Sequence, residues 1–130
     1  MDFTERLGFR TVRREGGECE MELDLEEIHM SVANRAHGGV LFAMLDSAMG
    51  RAVLSTLPDR RGCATIECRI NYFRPVQRGR LVATGKVLNI TRSTAYAEGS
   101  IVDSEGKLVA RASGTFFLTD TMVQSERERV

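Results

Sequence analysis

The chain has 130 residues, 42% of them hydrophobic and 28% charged, with 18 basic residues balanced by 18 acidic ones. This is the composition of an ordinary globular protein with a single core, and zero net charge leaves no domain-wide basic excess to meet a nucleic-acid backbone. Three cysteines without C-x-x-C spacing and only two histidines suggest neither a disulfide framework nor a metal site, so reduced thiols in a cytoplasmic setting are expected, with Cys68 as a small core residue.

Taken in chain order, residues 2 to 8 read as a short helical turn or an irregular lead-in, too charged for the apolar part of a signal peptide. Residues 9 to 15 and 18 to 27 read as two strands joined at Gly16-Gly17, since a glycine pair supplies the positive φ of a tight hairpin. In the second strand Met21, Leu23 and Leu25 alternate with acids, the pattern of a half-buried strand. Residues 28 to 36 show neither period and read as a loop. Residues 40 to 57 form the longest apolar segment, expected as a core helix. Asp46 and Arg51 interrupt it, and its length falls at or below the membrane-spanning limit, so no membrane span is expected.

After the turn-forming run Pro58 to Gly62, the chain reads as strands to residue 119. Strict alternation over 64 to 74 places Ile66, Cys68, Ile70 and Tyr72 on one face and Thr65, Glu67, Arg69 and Asn71 on the other. Residues 80 to 90, 95 to 103 and 108 to 119 follow as an antiparallel meander. The expected architecture is α+β, one domain over 1–122 with the helix on a curved sheet and a frayed, charged tail over 123–130.

The helix carries the candidate chemistry. Gly38 and Gly39 stand directly before its apolar run, where free N–H groups and the positive end of the dipole could hold an oxyanion, or where two glycines simply turn the chain into the helix. Asp46 lies seven residues after Gly39, two turns on along the same face, with Phe42, Met49, Gly50 and Val53 expected around it. There it could attack a carbonyl or deprotonate a water that does so. The alternative is a structural acid that caps a loop or pairs with Arg51 or Arg69. His37 reads as a residue that locks the turn through its ring rather than as a base. Ser47 projects about 100° away from Asp46 and lacks a nucleophile-elbow context.

His37-Gly38-Gly39, six residues, Asp46, then Asn71-Tyr72-Phe73-Arg74-Pro75 and the turn Asp103 to Ala110 together resemble the PaaI-type acyl-CoA thioesterases of the hotdog fold, over about residues 20 to 119. The resemblance implies a curved antiparallel sheet wrapped around a long central helix, and homodimers that pair into homotetramers with sites at the dimer interface. It implies an acyl-CoA substrate, with coenzyme A as part of that substrate and no separate cofactor. By match, Asp46 is the nucleophile or general base and the Gly39 N–H polarises the thioester carbonyl. Thr65, contributed across the dimer, helps position the water or the acid.

His37, Gly38 and Phe42 fall with the substrate-binding face. The family's asparagine and glycine, six and three residues before the histidine, are here Ser31 and Asn34. Asparagine tolerates the left-handed backbone a glycine would take; either Ser31, shorter than the family's asparagine, meets the thioester, or Asn34 supplies the amide from a rebuilt loop. Arg74 and Arg92 are the candidates for the coenzyme A phosphates. The implied activity is acyl-CoA thioester hydrolysis. A non-catalytic acyl-CoA-binding hotdog protein is the alternative, and the H-G-G spacing argues against a hydratase of the same fold.

Overall fold

The computed structural model describes residues 1–58 and 61–120; the expected tail over 123–130 lies outside the described residues. A four-residue helix, α1 (Phe3–Arg6), opens the chain under a capping box formed by Asp2 and Glu5. β1 (Arg10–Glu15) and β2 (Glu18–Asp24) then form the expected hairpin, with Gly16 and Gly17 at φ 58° and 84°. Alternation in β2 holds as read: Cys19, Met21 and Leu23 are buried, and the acids between them face outward.

β2 ends at Asp24 rather than at residue 27. The cause is His29, one of two histidines and almost wholly buried, in a single 3-10 turn at Glu27–His29. Its Nδ1 accepts the Glu26 N–H at 2.8 Å and its Nε2 bonds the Leu7 carbonyl at 2.7 Å. A continuing strand would need that Glu26 amide for its own ladder, so the imidazole turns the chain.

The core helix, α2 (Gly38–Leu54), begins at the glycine pair and stops short of residue 57, where Ser55 bonds the Ala52 carbonyl and accepts the Gly17 N–H. Its buried face, including Met44, Leu45, Ala48 and Met49, rests on the sheet. Two glycines paired across neighbouring strands make room for it. A Cβ at Gly85 would stand 2.6 Å from the Ala48 carbonyl oxygen, and one at Gly99 would stand 3.1 Å from Leu45. The helix therefore sits lower on the sheet than any side-chain layer would allow.

β3 (Gly62–Tyr72), β4 (Arg80–Ile90), β5 (Thr94–Val102) and β6 (Leu108–Thr119) complete one six-stranded antiparallel sheet of order β1-β2-β4-β5-β6-β3. The expected meander is β4-β5-β6, and β3 pairs with β6 at the far edge. The result is the α+β architecture read from the sequence, a curved antiparallel sheet carrying one long helix. Among the described residues no helix is long and apolar enough to cross a membrane.

One expectation for β3 is corrected. The register shifts between Thr65 and Glu67, so Ile66 is the extra residue of a β-bulge. Thr65 pairs with Phe116, Cys68 with Gly114, Ile70 with Ala112 and Tyr72 with Ala110, all on the buried side of β6. The bulge thus brings Thr65 to the same face as Cys68, Ile70 and Tyr72, turned toward α2, and leaves Ile66 exposed. Strict alternation had put Thr65 on the opposite face.

Candidate active site

The site is built where that face of β3 meets α2. At the helix start, His37 is the N-cap, and its Nδ1 accepts the Gly39 N–H at 2.8 Å. The His37 carbonyl takes the Val40 N–H at 2.9 Å, and the His37 N–H bonds the His29 carbonyl at 2.8 Å. The ring therefore locks the turn, as the sequence suggested. Among the described residues the Gly38 N–H has no partner.

Neither glycine needs a positive φ. Both are favoured by close approach instead: a Cβ at Gly38 would stand 3.2 Å from Cζ and Oη of Tyr72, and one at Gly39 would stand 3.0 Å from His37 Nδ1. The glycine pair admits two rings to the helix end.

Asp46 lies two turns farther on, half-buried on the open side of α2. Thr65 Oγ1 donates to its Oδ1 at 2.7 Å, and this contact is made within one chain rather than across a subunit boundary. Asp46 pairs with neither Arg51, which bonds Thr4, nor Arg69, which lies on the outer face of the sheet beside Glu98 and Arg111. The structural reading of Asp46 as half of an ion pair therefore falls. Its expected surroundings are also redistributed. Met49 and Val53 are fully buried under the helix, whereas Phe42 and Gly50 share the open side with Asp46.

Cys68 follows Thr65 along the same face of β3. Burial, and then the nearby Asp46 charge, push its thiol up to about 11, so it remains protonated at neutral pH and is no nucleophile. It is partly rather than fully buried, beside the site and not in the core. Tyr72, at the end of the strand, donates its phenol O–H to the Gly38 carbonyl at 2.7 Å. β3 is thus tied to α2 at three points, with Cys63 Sγ 3.7 Å from the Gly50 carbonyl at the other end.

A cleft of about 360 Å³ opens at the helix start, lined by Arg35, Gly38, Leu41, Tyr72 and Arg74 among others. Arg74 is therefore placed at this cleft, beside Gly38. Arg92 is not: it lies in the β4–β5 turn, whose Ser93 carbonyl accepts the Leu118 N–H, at the opposite end of the sheet from Tyr72. Asn34 takes φ +58°, as its match to the family's glycine suggested, in a turn where its N–H bonds the Ser31 carbonyl. It does not line this cleft, whereas Arg35, its neighbour, does. Sequence reasoning singled out neither Arg35 nor the Tyr72 contact with Gly38. A cation beside a glycine-like turn, and a tyrosine inside an already noted motif, were the available signals. Among the described residues no group of three or more His, Cys, Asp or Glu could hold a metal ion.

Residues 33–110 match the family model of the thioesterase superfamily. The chain belongs to the thioesterase superfamily. This thioesterase is 34% identical to a structure of the phenylacetic acid degradation protein PaaI from Thermus thermophilus, covering 88% of this chain and 96% of that one at a TM-score of 0.81. A conserved protein of Pseudomonas aeruginosa is 30% identical, covering 91% and 94% at a TM-score of 0.84. The acyl-coenzyme A thioesterase 13 of Mus musculus is 28% identical over 75% of this chain and 69% of its own. This thioesterase is accordingly a PaaI-like hydrolase of the hotdog fold.

Proposed function

We propose that this thioesterase hydrolyses acyl-CoA esters, with Asp46 as the reacting carboxylate. The observation that carries the reading is the Thr65–Asp46 contact. An acid on the open side of an apolar helix, held among the described residues by one hydroxyl and by no cation, keeps its second oxygen for a water or a carbonyl carbon. As general base, Asp46 takes a proton from water while the water oxygen adds to the thioester carbonyl. The tetrahedral intermediate then expels the coenzyme A thiolate, which takes up the proton. As nucleophile, Asp46 adds directly, the coenzyme A thiolate leaves to give a mixed anhydride, and water cleaves that anhydride to the free acid and the Asp46 carboxylate, one proton of the water going to the thiolate.

In either course the carbonyl oxygen gains negative charge, and the Gly39 N–H is the amide assigned to it, with the substrate oxygen replacing His37 Nδ1. The Gly38 N–H, without a partner among the described residues, lies beside it. Phe42, 37% exposed on the same side of α2, supplies apolar surface for the acyl group. Arg74 and Arg35, both at the cleft, suit the coenzyme A phosphates. The uncovered side of α2 and the edge position of β3 support the homodimer, and through it the homotetramer, as the working form, in which Arg92 would meet the substrate from a second copy.

The test is thiol release from aryl, short-chain and long-chain CoA esters by wild type and Asp46→Asn. The variant is expected to lose about 10²- to 10⁴-fold in kcat. Equal rates would remove Asp46 from the chemistry, and stoichiometric binding by the wild type with the thioester intact would replace the hydrolase reading by a binding one.

A further inference from the structure

Tyr72 lies outside the chemistry described above, yet it is the side chain that touches the glycine pair most closely. Its phenol oxygen is 2.7 Å from the Gly38 carbonyl, and its ring occupies the space a Gly38 side chain would fill. That carbonyl and the Gly39 N–H belong to one peptide unit. The unit is planar and trans, so its C=O and N–H point in opposite directions, and fixing one end fixes the other. A hydrogen bond accepted by the carbonyl also draws electron density from the amide nitrogen and makes its N–H a stronger donor.

We propose that Tyr72 is a positioning residue for thioester hydrolysis, whose hydrogen bond to the Gly38 carbonyl orients and polarises the Gly39 N–H toward the reacting oxygen. The inference rests on the reading that Gly39 receives that oxygen. Three further features support it. The first glycine of the pair suits the tyrosine, since a Cβ at position 38 would stand 3.2 Å from the phenol and the ring would have to shift by a few tenths of an ångström. Tyr72 also lies on the same face of β3 as Thr65, so one strand holds both the acid and the amide. Burial, and then the nearness of Cys68, raise the phenol above its usual range, which keeps its proton in place as a donor.

Tyr72→Phe keeps the ring and deletes only the donor. For the full-length protein we expect kcat to fall by about five- to tenfold while KM stays within about twofold, since the bond acts on charge that develops after binding. In a ¹⁵N–¹H correlation spectrum the Gly39 amide proton should move upfield as its polarisation is lost. Three outcomes overturn the assignment. One is a kcat within about twofold of wild type. Another is a joint change of kcat and KM with a lowered melting temperature and an unmoved Gly39 amide, which marks a purely structural tyrosine. The third is a wild type that releases no thiol from any of the esters, which overturns the hydrolase reading and the role of Tyr72 with it. The first two leave that reading intact.

Discussion

At the scale of single residues, Thr65 carries the sharpest expectation. Its hydroxyl is the group seen holding Asp46, and it has a near-isosteric replacement that cannot donate. Thr65→Val should lower kcat by about tenfold, roughly the effect of one hydrogen bond to a charged group, and Thr65→Ser should restore most of it. Steady-state rates of the two variants measured side by side check this, and a valine variant with wild-type kcat would leave Thr65 as packing only. Asp46 itself was legible because an acid in an apolar helix stands out by type. Its partner Thr65 was named only through the family resemblance and across a dimer, because alternation puts that hydroxyl on the wrong face until the register of the strand is known.

The register belongs to the scale of elements, and there the sequence was readable in part. The β2 alternation, the hairpin at Gly16-Gly17, the helix and the meander follow from periods that every residue in them repeats. The bulge at Ile66 follows from a single extra residue. An isoleucine fits an apolar face by type, so polarity gives no sign that it has been squeezed outward. The early end of β2 was hidden for a similar reason, since a buried histidine and a solvated one look alike in sequence. Tertiary contact decides such positions, and Gly85 is the clearest case. Gly85→Ala would drive a Cβ into the Ala48 backbone, which belongs to the helix and cannot swing aside. We expect a loss of about 3 kcal/mol, the upper end of the usual cost of overpacking, and a melting midpoint lower by roughly 10 °C. Thermal unfolding followed by circular dichroism measures it, and an unchanged midpoint would mean the helix is free to lift from the sheet.

For the whole molecule, the ionisable groups define a pH window. Asp24 is held below the usual carboxylate range by the Arg80 hydrogen bond, Glu18 by that from Arg13, and Asp103 chiefly by the Lys107 backbone N–H. Groups with depressed values add stability that is present above their unfolded values and lost as pH falls through the folded ones, on the acid side of the ordinary carboxylate range. Solvent screening keeps each contribution small. On the alkaline side Cys19 is raised by burial, Tyr72 by burial and then Cys68, and Cys68 to about 11. Their contribution has the opposite sense. It is intact below the ordinary thiol value of 9.0 and is lost as pH climbs toward about 11. Urea midpoints taken across pH should therefore form a plateau from roughly 5 to 9 that falls at both ends. A decline beginning near neutrality would point to a group other than these.

The ring that caps α2 has a consequence for how the proposed chemistry divides between affinity and rate. In the resting protein the Gly39 N–H already has an acceptor, the nitrogen of His37. An imidazole nitrogen is a better acceptor than a thioester carbonyl, so a substrate that displaces it exchanges one bond for a weaker one and gains little in affinity. An oxygen bearing the negative charge of the tetrahedral intermediate is the better acceptor of the three, and only for it is the exchange favourable. In the proposed reaction the histidine would thereby withhold the amide from the ground state and yield it to the transition state, so the interaction would lower the barrier without tightening the complex that precedes it.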